Sequence, residues 1–339
     1  MTLKNSSHLP STWRMIQSEM EMKLPASDQS LSMNFGKWDD QPHQHLPIAR
    51  MLAGPWGGVL VADEVGLGKT ISAIIAIREL QSRGERGGVL IVCPGGLRTK
   101  WKQELHHRVE IDAITPKSCS EFLMVLDRLD DGDEAVVIVS HGILRRAEIL
   151  DSLIDRKLNL MLTIMDEAHH ARNPKSRLHD GIQMLLLNSK WKMLLTATPV
   201  NLQSEDLYVL LSLIAPDRWP NITAYYNTMS PTASIHRTID IISSDPIDLE
   251  NIRLEINRLL HTTSLADDPR LTEIRALIDD IPEESGVVRK RVINLLREMR
   301  PLNDMLVRTR RKDLDLVLAQ RVPIILQVVL TEEEWNLYN

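Results

Sequence analysis

The stretch ADEVGLGKT, which ends at Thr70, has the residue types of a phosphate-binding loop. Gly66 and Gly68 allow a tight turn that brings backbone N–H groups close to an anion. Lys69 is placed to reach the β- and γ-phosphates of a nucleotide, and the Thr70 hydroxyl is placed to hold Mg²⁺. The general pattern begins with a glycine, but Asp63 stands at that position. The stretch predicts a nucleotide site of a particular kind; the alternative is an ordinary glycine-bearing turn with a solvent-exposed lysine.

Two adjacent carboxylates, Asp166 and Glu167, follow the apolar run LTIM. An acidic side chain at a strand end can hold the Mg²⁺ that accompanies a bound phosphate, and Asp166 is placed for that role. Glu167 would orient or deprotonate the attacking water. Alone, the pair could be an acidic loop after a strand. A phosphate loop about a hundred residues upstream makes the two motifs complementary parts of one site.

Two hydroxyls, Thr196 and Thr198, end a further apolar run before Pro199. They could sense the state of a nucleotide at the γ-phosphate end of the site. A threonine-rich strand end closed by proline is the alternative, and the pattern fits both equally.

These three groups lie in a stretch, 57–199, that alternates strand-like and helix-like segments. The strand candidates are short, continuous and apolar, which is typical of strands buried on both faces of a parallel sheet. Helical patterns such as 70–83 and 97–108 separate them. The expected fold class is therefore α/β, a parallel sheet with helices on both faces and right-handed crossovers. The candidate strands span 58–62, 89–92, 135–139, 162–165 and 193–196.

After about residue 203 the strand signal disappears and only helical patterns follow. We expect an all-helical appendage on the C-terminal side of the sheet. Its last part is basic, with Arg289, Lys290 and Arg291 in a row. This face is either solvated or a clamp for DNA phosphates, because lysine and arginine give sequence-independent affinity for nucleic acid. The helical segments span 205–213, 249–260, 271–279 and 287–299.

Four segments carry a resemblance to a known family. They are LVADEVGLGKTISA, VLIVCPGGLRTKWKQEL, IMDEAHHARN and LLTATPVNLQSEDLYVLLSLIAP, in that order. Together they resemble the Swi/Snf-type ATPases of helicase superfamily two, with the bacterial RapA-like branch nearest, over about 41–213. In that family the phosphate loop reads Asp-Glu-x-Gly-x-Gly-Lys-Thr, so Asp63 is the expected residue. The resemblance implies a RecA-like, P-loop NTPase fold and a DNA-dependent ATP hydrolase that uses ATP and Mg²⁺.

The resemblance also assigns residues to the nucleotide site. Lys69, Asp166 and Glu167 would be catalytic, and Thr70 and Asp166 would hold Mg²⁺. Gln44 resembles the glutamine that reads adenine; without the resemblance it would be an ordinary surface side chain. The implied nucleotide-binding set is Gln44, Asp63, Glu64, Val65, Gly66, Leu67, Gly68, Lys69, Thr70 and Asp166.

DNA contacts are implied at two strand ends. Gly95, Lys100 and Trp101 lie in the segment that faces the tracked DNA strand in the family. Ser140 and His141 resemble its next DNA-facing motif. Backbone amides and a lysine near a helix start suit a phosphate. Trp101 could instead pack beneath that helix, and His141 could be an ordinary loop histidine.

His169 and His170 follow the acidic pair. A zinc site is a poor explanation, because adjacent side chains point apart on regular structure and no third ligand is near in sequence. The resemblance implies instead that His169 couples nucleotide binding to DNA binding. Thr196 and Thr198, as possible sensors of the nucleotide state, are the other candidates for this coupling.

The family's motor needs two such lobes, and the second contributes arginines worth roughly 10³–10⁵ in rate. No second sheet or second-lobe arginine motif follows here, so hydrolysis by this chain alone should be weak and the second lobe would act in cis or in trans. Four parts are expected: an extension at 1–40, the ATP-binding lobe at 41–215, the helical appendage at 216–320 and a lead-out at 321–339.

Bulk composition limits the partners. The net charge of −6 does not favour nucleic acid overall, so DNA would have to meet a local basic patch. The two cysteines, Cys93 and Cys119, have no metal-ligand spacing, which fits a reduced, cytoplasmic setting. No run approaches the ~20 apolar residues of a membrane span, so no membrane partner is expected.

The leading hypothesis is the ATP-binding lobe of a double-stranded-DNA translocase that remodels protein–DNA complexes. One alternative is a non-catalytic, nucleotide-dependent interaction module with a protein partner on the helical appendage. Another is half of a split strand-separating helicase, which displacement assays on duplex substrates would distinguish from a translocase.

Overall fold

The computed structural model describes residues 36–37, 41–197, 205–244, 248–261, 265, 268–279 and 286–311. The chain divides into two compact units, Met1–Thr309 and Arg310–Asn339, and every element below belongs to the first. The predicted extension at 1–40, apart from residues 36 and 37, and the predicted lead-out at 321–339 lie outside the described residues.

A six-stranded sheet lies at the centre of the first unit. Its strands are β1 (Gly58–Val61), β2 (Gly88–Cys93), β3 (Val136–Ser140), β4 (Leu160–Met165), β5 (Ser189–Leu195) and β6 (Leu306–Val307). They are ordered β3-β2-β4-β5-β1-β6, and every neighbouring pair is parallel. The carboxyl ends of all six strands therefore lie at the same side of the sheet, which we call the carboxyl edge.

The first five strands are those that the sequence predicts. Every residue of β1 to β4 is buried, which explains why these segments are continuous apolar runs rather than alternating ones. The largest difference is in β5, which begins at Ser189 instead of 193, because Lys190 and Lys192 interrupt its apolar pattern. The short strands thus form the parallel sheet that we expect.

Helices cover both faces of this sheet. Val59 and Val61 join a core with α1, α2 and α3 on one face, whereas Leu60 joins a core with α4 to α8 on the other. The predicted fold class, a RecA-like α/β sheet with helices on both faces, is confirmed. The helices are α1 (Pro42–Ala53), α2 (Lys69–Ser82), α3 (Arg98–Val109), α4 (Cys119–Asp130), α5 (His141–Leu144), α6 (Ala147–Leu153), α7 (Arg177–Leu187) and α8 (Glu205–Ile214).

The chain after α8 is mainly helical, as predicted. It forms α9 (Ile222–Met229), α10 (Thr232–Ser243), α11 (Leu249–Leu260), α12 (Pro269–Asp279) and α13 (Gly286–Glu298). Helices α10 to α13 share a hydrophobic core of their own, which includes Ile235, Ile252 and Leu296. Part of the basic surface is paired, since Arg291 lies 2.9 Å from Glu273. The domain boundaries at 215 and 320 stay predictions.

The expectation that no strand follows residue 203 is wrong. Leu306 and Val307 form β6, which pairs with Leu60 and Val61 of β1 and extends the sheet at its edge. A two-residue strand is too short to show an apolar run or an alternation, so the sequence carries no signal for it. It lies where it does because β1 has backbone hydrogen-bonding groups free on the side away from β5, and β6 pairs with them.

Among the helices of the described ranges, none is both long enough and apolar enough to cross a bilayer.

Candidate functional site

The predicted motifs meet at the carboxyl edge. The loop ending at Thr70 follows β1, the acid pair follows β4, and Thr196 follows β5. Strand β5 lies between β1 and β4, with Leu195 opposite Val61 and Leu194 opposite Met165. Thr196 is therefore positioned between the loop and the acid pair, which the order of motifs along the chain does not reveal.

The loop after β1 has the backbone of an anion cradle. Gly66 and Gly68 both have φ of 88°, a left-handed conformation that residues with a β-carbon rarely adopt. A β-carbon on Gly68 would also lie 2.3 Å from Gln44 Nε2, so any larger residue there would have to displace the Gln44 side chain. Helix α2 begins at Lys69, directly after this turn, and runs for 14 residues. Its first N–H groups and its dipole favour an anion at the loop.

Lys69 lies within the loop. Its Nζ donates to the carbonyl oxygen of Asp63 at 2.7 Å and to that of Glu64 at 3.3 Å. Burial lowers the pKa of Lys69, while the carboxylates of Asp63, Glu167 and Asp166 oppose that shift. The ammonium is thus held close to both the loop and the acid pair, a position that suits a phosphate between them.

Gln44 supports the loop from α1. Its Nε2 donates to the carbonyl oxygen of Leu67 at 3.3 Å, and His43 Nε2 lies 2.8 Å from the same oxygen and must donate to it. Both side chains are buried, so Gln44 is not the ordinary surface residue that its type suggests. Within the described part of the chain, Gln44 Oε1 is buried without a hydrogen-bond partner. A role in reading adenine stays a prediction.

Asp63 faces away from the loop. Its side chain is 1% exposed, and Oδ1 accepts a hydrogen bond from the Thr309 N–H at 2.6 Å. Burial raises the pKa of this carboxyl group, which the Thr309 hydrogen bond opposes. Asp63 therefore ties the end of β1, where the loop begins, to the segment after β6. A part for Asp63 in nucleotide binding stays a prediction. Of the remaining loop residues, Glu64 and Val65 are exposed, Leu67 is buried and Thr70 is half-buried.

Asp166 is held by three hydrogen bonds. Its N–H donates to the carbonyl oxygen of Val92, Oδ1 accepts from the Glu167 N–H at 2.9 Å, and Oδ2 accepts from Trp101 Nε1 at 2.9 Å. Burial raises the pKa of Asp166, and the hydrogen bonds from Trp101 and Glu167 oppose this. A carboxylate here and the hydroxyl of Thr70 are hard oxygen ligands of the kind that Mg²⁺ prefers, so the residues present fit that ion.

Glu167 has an unusual backbone conformation. Its φ of 51° lies in the left-handed region, which is uncommon for a residue other than glycine. Oε2 of Glu167 lies 3.3 Å from His169 Nδ1, and the same nitrogen is 3.5 Å from Thr196 Oγ1, at the outer limit of a hydrogen bond. These contacts form a chain from the predicted water-activating carboxylate to the end of β5. The predicted partner Thr198 lies outside the described residues.

A cleft of about 510 Å³ opens beside the acid pair. His141 Nε2 lies 3.0 Å from the carbonyl oxygen of Asp166 and donates to it. Burial lowers the pKa of His141 to about 4, so this imidazole is neutral at pH 7. Positive charge in the cleft comes from two arginines that the sequence reading missed, Arg145 and Arg177. The cleft is lined by Pro94, Gly95, Ser140, His141, Gly142, Arg145, His170, Ser176, Arg177 and Leu178.

The predicted DNA contacts have different environments. Gly95 and Lys100 are exposed, whereas the Ser140 hydroxyl accepts from the Ile143 N–H and caps α5. Trp101 is 1% exposed, because its ring packs between its own helix, α3, and the sheet. In this structure it therefore cannot touch a DNA strand. The alternative of packing, which the sequence left open, describes its position. Among the described residues, no group of three or more histidine, cysteine, aspartate and glutamate side chains could hold a metal ion.

Comparison with known proteins places the chain in a family. The model of the SNF2-related domain matches residues 15–339. Chromodomain-helicase-DNA-binding protein 6 of Mus musculus is 30% identical over 175 residues, which cover 49% of this chain and 6% of that protein. RNA polymerase-associated protein RapA of Yersinia pestis (strain Pestoides F) is 27% identical over 258 residues, which cover 75% of this chain and 26% of RapA.

Among solved structures, the SWI2/SNF2 ATPase core of Sulfolobus solfataricus in complex with double-stranded DNA is similar with a TM-score of 0.47 and 18% identity. The likeness covers 80% of this chain and 59% of that one. Because the family model spans nearly the whole sequence, and its phosphate loop and acid pair meet at one edge of a parallel sheet, the chain belongs to the SNF2-related domain family, as the first lobe of a Swi/Snf-type ATPase of helicase superfamily two.

Proposed function

We propose that this chain is the ATP-binding lobe of a double-stranded-DNA translocase that remodels protein–DNA complexes by ATP hydrolysis. The observation that carries the proposal is the meeting of the phosphate loop, the acid pair and an arginine-lined cleft at one edge of the sheet. The relative in mouse is named as a DNA-binding helicase, and RapA as associated with RNA polymerase. The first of these names supports a chain that acts on DNA.

Each residue of the site has a distinct part in hydrolysis. The loop N–H groups and Lys69 would bind the β- and γ-phosphates, because the start of α2 and an ammonium held against the loop both attract an anion. Thr70 and Asp166 would hold Mg²⁺, which when bound neutralises phosphate charge. Glu167 would orient the attacking water and take its proton. A second RecA-like lobe, in cis or in trans, would complete the site with arginines.

The cleft beside the acid pair is the proposed DNA site. Arg145 and Arg177 are exposed, and neither forms an ion pair with a carboxylate in the described part of the chain. Their charges are thus available to a phosphodiester, while Gly95 offers exposed backbone nearby. His141 contacts Asp166, and the His170 N–H donates to the carbonyl oxygen of Glu167 at 3.0 Å. The same residues therefore line the cleft and contact the acid pair.

Replacing both Arg145 and Arg177 with alanine should weaken duplex DNA binding for all sequences alike. Each phosphate contact contributes about one unit to the slope of log affinity against log salt concentration, so the slope should become shallower by roughly two. Fluorescence anisotropy with a labelled duplex, titrated at several salt concentrations, measures this slope.

The matched control is the double substitution of Arg86 and Arg128 with alanine. It removes the same charge at the opposite edge of the sheet, where these arginines pair with Glu134 and Asp133. The control should keep the wild-type slope. Equal slopes for the wild type and the Arg145/Arg177 variant would remove the cleft from the DNA site.

Hydrolysis provides the direct test of the proposed function. Purified chain should hydrolyse ATP slowly, and addition of a second lobe from a Swi/Snf-type relative together with duplex DNA should raise the rate. An arginine supplied in trans is worth roughly 10³–10⁵ in comparable NTPases, so even partial complementation is measurable. Steady phosphate release that responds to neither addition would contradict a DNA-dependent motor.

The interaction-module alternative rests on one structural observation. Helices α10 to α13 have a separate hydrophobic core, so they could hold a surface for a protein partner that the sheet takes no part in forming. In that case nucleotide would bind but turnover would stay absent under every condition of the hydrolysis experiment. DNA-stimulated turnover would exclude this alternative.

A further inference from the structure

The indole N–H of Trp101 connects α3 to the acid pair. Trp101 lies in the first turn of α3, and its ring belongs to the core that joins α1, α2 and α3 to the sheet. Its Nε1 donates to Asp166 Oδ2 at 2.9 Å, across 65 residues of sequence. The ring is 1% exposed, so water cannot replace this donor without a rearrangement of the core.

This hydrogen bond completes the orientation of the Asp166 carboxylate. The Glu167 N–H already holds Oδ1, and Trp101 holds Oδ2, so both oxygens have fixed directions. Each carboxylate oxygen has two lone pairs, which leaves acceptor capacity for a cation after both hydrogen bonds are made. Partners that orient a metal ligand in this way commonly contribute tenfold or more to metal affinity.

We propose that Trp101 is a positioning residue that orients Asp166 as a ligand for Mg²⁺. The inference rests on the proposed function, since it needs a nucleotide site in which Asp166 meets the ion. It gives Trp101 a different role from the DNA contact that the family motif suggests. The indole acts through Asp166 and touches neither nucleotide nor DNA.

The test separates metal-dependent from metal-free binding. A fluorescent ADP analogue is titrated into wild-type chain and into Trp101→Phe, first in EDTA and then over a range of Mg²⁺ concentrations. We expect unchanged affinity in EDTA and roughly tenfold loss of the apparent Mg²⁺ affinity in the variant. The matched control is Trp219→Phe, because Trp219 is also buried and its Nε1 donates to Thr228 Oγ1 at 3.2 Å.

The outcomes distinguish this inference from the proposed function. A wild-type chain that binds no nucleotide contradicts the proposed function itself. A wild-type chain that binds nucleotide with help from Mg²⁺, next to a Trp101→Phe variant with the same Mg²⁺ dependence, overturns only the positioning role. Equal loss of affinity with and without Mg²⁺ also overturns it, because a general packing defect explains that result.

A measurement on the wild-type chain covers the case in which Trp101→Phe does not fold. The indole ¹⁵N–¹H cross-peaks of the seven tryptophans can be assigned by substituting the others one at a time. When Mg²⁺ is added to ADP-saturated protein, the Trp101 cross-peak should move and that of Trp219 should not. A stationary Trp101 cross-peak would overturn the proposal.

Discussion

Substitution of Lys69 with alanine should weaken binding of an ATP analogue by roughly 100-fold. Hydrogen bonds to charged groups contribute about 1.5–3 kcal/mol each, and Lys69 is expected to make them to both terminal phosphates. The ammonium also holds the loop through the carbonyl oxygens of Asp63 and Glu64, so its loss relaxes the cradle as well. A titration with a fluorescent, non-hydrolysable ATP analogue measures the change.

Lys190→Ala is the matched control for this substitution. Lys190 is exposed, lies at the start of β5 on the opposite edge of the sheet and pairs with Glu85. Its removal should leave nucleotide affinity unchanged. Thermal unfolding of both variants shows whether the fold persists. Wild-type affinity in a folded Lys69→Ala variant would exclude the loop after β1 as the phosphate site.

Replacement of Glu167 with glutamine should preserve ATP binding and lower turnover about 10²–10⁴-fold in the presence of a second lobe. A glutamine keeps the size and polarity of the side chain but cannot accept the proton of the attacking water, which is the contribution of a general base. The contact with His169 keeps its geometry, because an amide oxygen can occupy the position of Oε2. ATP affinity and phosphate release are measured on the same preparation.

Glu134→Gln makes the same chemical change just before β3, at the opposite side of the sheet from the carboxyl edge, and should keep wild-type turnover. Normal turnover in Glu167→Gln would remove Glu167 from its assigned role and leave the hydrolysis hypothesis without a base. A joint loss of ATP affinity and turnover would also contradict the assignment, because it would indicate a damaged loop and not a missing proton acceptor.

Local patterns predict much of the sheet, because a strand that is buried on both faces is a continuous run of apolar residues. Segments such as 58–62 and 89–92 are continuous apolar runs, and the structure buries β1 and β2 completely. The helix at Leu249–Leu260 has its predicted bounds, since its apolar residues recur with the helical period. Strand β6 gives no such signal, because two residues are too few to show an apolar run or a periodic pattern.

The candidate site was predictable to the extent that function requires particular residue types. Gly66, Gly68 and Lys69 predict a phosphate loop. The two glycines have the left-handed backbone conformation, directly before α2, that such a loop needs. Arg145 and Arg177 were missed because single arginines are common surface residues. Only the cleft that brings them beside the acid pair distinguishes them from the rest.

The sequence by itself determined the residue types of the candidate site, which are those of a phosphate loop and an acid pair, and most of the strands that end beside them. Tertiary structure alone decided which side chains point into the candidate site and which hold other residues of the site in position. Asp63 bonds to Thr309, 246 residues away, and Trp101 bonds to Asp166 in place of facing DNA. The physical reason is that a side-chain hydrogen bond depends on strand order and core packing. Strand order and core packing arise from contacts between residues distant in sequence, which a local pattern cannot predict.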